Sequence, residues 1–225
     1  MRTSKAKFTV LVIVSALTAM SSQATGATIF SNLGPGDSLA SPGIGIGFIP
    51  FTSTFNYAGM GLTPTGQSYT LDRVELPLQL FSGPNVADVF VMGDTGGLPS
   101  GVLETFHLTG ALPIGSAALI ALDSIVHPRL NAGVQYWVVA AGGPSSFVSW
   151  KQNELQEMGP NVSGSTLTAL VRDSDLNVRE ALRVSGTAVP EPGTLLPLAG
   201  VLIATALLVR ARRGRGPWCG STTTS

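Results

Sequence analysis

The chain has 225 residues, with 13 Lys and Arg balanced by 13 Asp and Glu, and a single cysteine, Cys219. Three basic residues lie within the first seven positions and four lie between Arg210 and Arg215, so the stretch between keeps six basic against twelve acidic residues once Glu191 is set aside. That mildly acidic middle has no basic stripe to neutralise phosphates, which argues against a nucleic-acid partner. The position of Cys219 leaves the middle without a disulfide, a cysteine metal site or a thiol nucleophile.

At the N-terminus Arg2, Lys5 and Lys7 precede an apolar run from Phe8 to Ala19, followed by Ser22-Gln23-Ala24 and Thr25-Gly26-Ala27 as candidate cleavage sites. This is the order of a secretory signal peptide. Its apolar run of about 12 residues is too short for a retained anchor. Residues 1–27 are therefore expected to be cleaved on export by the general secretory route.

Residues 28–188 are long enough for one domain with its own core. Their apolar residues come in short runs bounded by Gly, Pro, Asn and Asp, the spacing of strands and turns. Strands are expected over Ser68 to Leu80, Ala87 to Met92, Val102 to Leu108, Ala117 to Leu122, Gln135 to Ala141, Phe147 to Lys151, Leu167 to Val171 and Leu182 to Gly186. The continuous Val138-Val139-Ala140-Ala141 suits a strand buried on both faces. Turn signals separate the runs at Ser82-Gly83-Pro84-Asn85, Gly93-Asp94-Thr95-Gly96-Gly97, Asn131-Ala132-Gly133 and Gly142-Gly143-Pro144. The Gly- and Ile-rich segment from Ala40 to Tyr57 yields no placeable strand, and Asn153 to Met158 is the one helix-like stretch. An all-β fold, an antiparallel β-sandwich of jelly-roll type, buries this pattern most naturally.

Several constellations in the body invite a site. Gly36-Asp37-Ser38-Leu39 spells the opening block of GDSL esterases, but that chemistry needs a strand before the serine, a helix after it and an oriented histidine. The plainer reading is a turn in which Asp37 and Ser38 bond their own backbone. His107 and His127 are the only histidines, without metalloenzyme spacing. Asp88, Asp94 and Glu104 could converge as paired acids, or hold calcium at the Asp94 loop; each reads more simply as a strand or turn residue. Trp137 and Tyr136 in an apolar strand are expected in the core, whereas Trp150 beside Lys151 could be an exposed ligand contact. Asn161-Val162-Ser163 matches a glycosylation sequon, a triplet common by chance. No catalytic, cofactor or metal residue is assigned in the body, and no enzymatic activity is expected of it.

Ile29-Phe30-Ser31-Asn32-Leu33-Gly34-Pro35-Gly36-Asp37-Ser38, Gly93-Asp94-Thr95-Gly96-Gly97-Leu98-Pro99 with Leu103-Glu104-Thr105-Phe106, and Leu130-Asn131-Ala132-Gly133 leading to Tyr136-Trp137-Val138-Val139-Ala140 carry a further signal. In these segments the body resembles the choice-of-anchor R domains, exported bacterial modules found with alternative C-terminal anchors. The resemblance implies an architecture and an extracytoplasmic location, and supplies no catalytic residues.

The C-terminus has three parts. Val189-Pro190-Glu191-Pro192 is an extended linker, because its prolines fix φ and remove backbone donors. An apolar run follows, expected as one membrane helix over about 194–209, marginally short for the roughly 30 Å hydrocarbon core. Arg210, Arg212, Arg213 and Arg215 then act as a basic stop, placing the short polar tail 216–225 in the cytoplasm and the body outside. This order resembles the PEP-CTERM sorting signal of Gram-negative bacteria, also known as the ice-binding protein C-terminal domain. The resemblance implies an exosortase as partner, Pro190-Glu191-Pro192 as its recognised element, and delivery to the cell surface or an exopolysaccharide matrix.

Overall fold

The computed structural model describes residues 26–173 and 177–190. The chain is all-β and antiparallel: thirteen strands and a single 3-10 turn at Pro35–Asp37 make up the described secondary structure. Their sheet is bent into a half-barrel. The signal-peptide run, Glu191, Pro192, the apolar run and the arginines lie outside the described residues.

The longest strand, β4 (Tyr69–Ser82), organises the first half of the sheet. Along one edge it pairs first with β13 (Arg183–Ala188) and then with β10 (Phe147–Asn153). Along the other it takes β8 (Arg129–Leu130) and β7 (Ala118–Asp123). The change of partner explains how a central strand tolerates Pro77. Pairing to β13 ends at Glu75 and pairing to β10 begins at Leu78, so the residue without a backbone donor falls in the gap. β1 (Ala27–Ser31) extends the sheet beyond β13, and β2 (Leu39–Ile49) extends it beyond β10.

β2 turns back into β3 (Thr54–Leu62) through the pairs Gly47↔Asn56, Phe48↔Phe55 and Ile49↔Thr54, and β3 carries the chain into the second half. There β3 lies between β9 (Tyr136–Gly142) and β11 (Asn161–Gly164), which pairs in turn with the two-residue β12 (Val171–Arg172). β9 continues to β5 (Val86–Thr95), and β5 to β6 (Leu98–Thr109). Gly47 sits at the bend with φ +83°, where an added Cβ would collide with the Ser146 carbonyl oxygen. Only glycine satisfies both demands.

Both halves face one core. Ile46, Leu76, Leu78, Val148 and Trp150 from the first half meet Met60, Val89, Val91, Val138 and Ala140 from the second. Every residue of β9 is buried. Its alternate residues Trp137 and Val139 enter a smaller cluster with Met92, Val162 and Leu170, so the strand is covered on both faces, as its unbroken apolar sequence predicts.

The expected strands correspond to β4, β5, β6, β7, β9, β10 and β13, with boundaries moved by at most four residues. Two expectations differ. Leu167 to Val171 is strand only at its last residue, because Leu170 is drawn onto the outer face of β9. Asn153 to Met158 contains a turn at Glu154 and Leu155 rather than a helix, with Asn153 Oδ1 accepting the Glu157 N–H at 2.8 Å. The segment from Ala40 to Tyr57 holds most of β2 and the start of β3. The compact unit ends at Ala188, and Val189 and Pro190 lie beyond β13.

Candidate functional site

The esterase-like block does not stand before a helix. Ser38 follows the 3-10 turn and leads directly into β2 rather than into a helix. Asp37 turns to Arg183, accepting from Nη1 at 2.8 Å, while Arg183 holds Glu75 through Nε at 2.6 Å and Nη2 at 3.0 Å. Those hydrogen bonds, Glu75's first, hold the Arg183 guanidinium above its ordinary value. The trio ties the turn to β4 and β13, a structural task.

The other acid and base candidates are likewise engaged. His127 places Nδ1 2.9 Å from the Leu71 carbonyl oxygen. Asp88 and His107 are directly opposite across β5 and β6, with Oδ1 and Nδ1 2.6 Å apart on an exposed face. Glu104 is buried and accepts from Ser124 Oγ at 2.6 Å, Ile125 N at 2.6 Å and Val126 N at 3.1 Å. Asp94 accepts the Trp137 indole N–H at 2.7 Å, the Gln135 amide at 3.2 Å and the Gly97 N–H at 3.1 Å. The carboxylate considered for calcium therefore caps a core tryptophan. Among the described residues, no three His, Cys, Asp or Glu side chains converge as a metal site.

Trp137 and Tyr136 lie in the core as expected, and Trp150 joins them there instead of forming an exposed contact. Trp150 and Trp137 are both fully buried, and Trp150 donates Nε1–H to the Ala181 carbonyl at 2.8 Å. Tyr136 is buried too, its hydroxyl accepting the Asn131 N–H at 2.9 Å. Neither indole can stack on a ligand.

The exposed aromatic surface comes instead from three phenylalanines that sequence reasoning passed over. Phe51 lies in the β2–β3 turn and is 83 % exposed; Phe81 near the end of β4 is 54 % exposed. Phe147 at the start of β10 stacks on Phe81 with centroids 5.3 Å apart and meets Phe51 edge-on at 5.6 Å. Lys151 extends along the same strand to bring Nζ within 5.7 Å of the Phe81 ring centre. These rings border a groove of about 410 Å³ that is lined also by Ser41, Gly43, Gly45, Ser149 and Lys151. A Cβ at Gly45 would stand 2.8 Å from the Phe147 ring, so any larger residue there would push that ring aside. The Gly-Ile-Gly-Ile-Gly run was the available signal: Ile46 is buried in the core while the glycines open the opposite face.

Two further concavities are polar. One of about 370 Å³ lies among Asp72, Arg73, Glu75, Asp123 and Arg183, whose charges largely pair with one another. The other, of about 310 Å³, is lined by Gln152, Asn161, Asp173, Asn177 and Glu180. Burial pushes the Glu180 carboxyl up to about 7, against its own backbone N–H and with help from the Asp173 charge; Arg179 opposes weakly. Asn161, the sequon asparagine, is only 4 % exposed and is no acceptor for a glycan in the folded chain.

No protein-family model, no curated protein and no solved structure matches this chain. Among the described residues, no helix is long and apolar enough to cross a membrane.

Proposed function

We propose that the protein is an exported, non-enzymatic bacterial cell-surface or matrix component that binds polysaccharide, with the half-barrel as a β-sandwich of jelly-roll type. The observation that carries the binding role is the aromatic groove of Phe51, Phe81 and Phe147. Exposed rings fixed on paired strands offer flat apolar faces to the C–H faces of sugar rings. Ser41 and Lys151, which also line the groove, supply hydroxyl and ammonium groups for sugar hydroxyls. The burial of Trp137 and Trp150 and the structural engagement of Asp37, Asp94 and Glu104 support a binding role over a hydrolytic one.

The sorting part of the proposal rests on the sequence. Pro190-Glu191-Pro192, the apolar run and the arginines support recognition by an exosortase, with the membrane helix holding the body outside until processing. Ala27 pairs with Gly186 inside β1, so signal cleavage after Ala24 leaves that strand whole. This favours the earlier of the two cleavage sites. The second reading, a permanently anchored carbohydrate-binding or adhesive module, shares the groove and differs only in retaining the helix.

Affinity of the body through Ala188 for a panel of acidic and neutral bacterial exopolysaccharides tests the binding role. Phe51→Ala and Phe81→Ala should each weaken retention by about 1 kcal/mol, roughly fivefold, with melting unchanged because both rings are exposed. Absence of retention on every glycan, or variants that bind like the parent, would remove the binding role. In an exosortase-bearing host, Glu191→Gln should accumulate at full length if the carboxylate is read. Failure of the parent itself to be shortened would establish the permanent anchor.

A further inference from the structure

Two buried side chains in the polar cavity beside β11 lack partners for one oxygen each. Asn161 and Glu180 are each 4 % exposed, and among the described residues neither Asn161 Oδ1 nor Glu180 Oε2 has a hydrogen-bond donor within reach. Both residues line the same concavity as Asp173. We propose that Asn161, Asp173 and Glu180 form a binding site for a calcium ion.

The chemistry of the donor set selects the ligand. Both orphaned atoms are acceptors, so the missing partner must be a cation or a hydrogen-bond donor; desolvated oxygens left without either are costly. Among the described residues, none that lines the cavity is basic. Arg179, next to Glu180 and attracted to it, does not line the cavity: its guanidinium lies over the Phe30 ring at 4.9 Å and donates Nη2–H to the Gly61 carbonyl, and among the described residues its Nε is left without a partner of its own. The two carboxylates would neutralise one divalent ion, and the Asn161 amide oxygen adds a neutral hard ligand. Gln152 and Asn177 lie on the same wall. Calcium takes six to eight oxygens in flexible geometry, including amides and waters, whereas magnesium demands a tighter octahedron. At about 310 Å³ the cavity has room for the ion with several waters, at about 30 Å³ each.

The scaffold holds these residues in place. The Asp173 N–H donates to the Asn161 carbonyl oxygen at 2.9 Å, and Ser163 Oγ donates to Asp173 Oδ1 at 3.0 Å. Glu180 is bridged to Gln152, and its carbonyl accepts the Asn32 side-chain amide at 2.8 Å. The ion would join β11, the run leading into β13 and the end of β10, segments otherwise linked by scattered hydrogen bonds. Two carboxylates make a weak site, in the range of about 10⁻⁴–10⁻³ M typical of extracellular modules.

The test uses the full chain, purified in detergent and washed free of metal with chelator, with calcium titrated by calorimetry and by thermal unfolding. One saturable site and a melting temperature that rises with calcium are expected. Asp173→Asn and Glu180→Gln should each weaken calcium at least roughly tenfold. Asp173→Asn should melt like the parent in chelator, which separates lost ligation from lost folding. No saturable uptake at millimolar calcium, or unchanged affinity in both variants, overturns the site. Magnesium binding as tightly as calcium overturns the assignment of the ion.

Discussion

Glu104 and Glu180 are buried to the same degree, 5 % and 4 % exposed, and they meet opposite surroundings. Glu104 reaches from β6 into a corner where Ser124 Oγ and the N–H groups of Ile125 and Val126 all point at its carboxylate. Ile125 and Val126 expose their side chains, 86 % and 63 %, so the corner is held by the carboxylate and not by apolar burial. Among the described residues Glu180 has one oxygen without a donor, and burial holds its proton up to about 7, with help from the Asp173 charge. Desolvation is therefore not what separates a structural carboxylate from a ligand-seeking one. The donors aimed at it are.

The largest effect should come from the satisfied residue. Glu104→Gln leaves at least one of three donors facing an amide N–H, and should cost about 2–3 kcal/mol in urea unfolding, because hydrogen bonds to a charged acceptor are stronger and buried donors left unmet are penalised. A loss under about 0.5 kcal/mol would show that solvent reaches the corner and would dissolve the contrast.

At Glu180 the sign should reverse. In chelator near neutral pH, Glu180→Gln removes an ionisable group with an unmet oxygen, and should leave stability equal or raise it by about 1 kcal/mol. The pH dependence sharpens the point. The folded-state value of about 7 lies above the ordinary carboxyl value of 4.5, so between those limits the folded chain binds more protons than the unfolded one. Stability contributed by this group is therefore complete below about 4.5 and falls as pH rises to about 7. Metal-free parent protein should lose denaturant resistance across that window relative to Glu180→Gln. Parallel curves would mean that Glu180 ionises as an exposed carboxylate does.

Neither glutamate announces its role in the sequence, and the reason is common to the whole site. β4, β5 and β9 were legible because each carries its burial in its own residues: Val74, Leu76 and Leu78, then Val89 and Val91, then the unbroken run from Tyr136 to Ala141. β2 escaped because its outer face is written in glycine, which removes the polar half of the alternation and leaves isoleucines that read as an irregular apolar segment. Leu170 misled in the other direction. Its apolar character serves the outer face of β9 instead of a strand of its own. The groove and the polar cavity are assembled across long separations: Phe51 meets Phe147, and Asn161 faces the same space as Gln152 and Glu180. No local spacing encodes those meetings. They follow from the change of partner along β4 and from the bend at Gly47, which only the folded sheet displays.

The smallest effect should fall on a carboxylate that is paired but wet. Asp88 and His107 approach to 2.6 Å across β5 and β6, with side chains 36 % and 76 % exposed. An exposed pair of this kind gains little over hydration, so Asp88→Asn should change stability by at most about 0.5 kcal/mol, and salt should screen even that. The pair also resembles a catalytic base with its orienting acid, and the same variant distinguishes the two roles. If hydrolysis of a chromogenic ester or glycoside by the body were present and fell with Asp88→Asn while unfolding stayed unchanged, the pair would belong to an active centre. If neither property moves, partnership without burial is worth little here, and the contrast between Glu104 and Glu180 gains its reference point: a carboxylate must be both desolvated and deprived of donors before it has reason to recruit a cation.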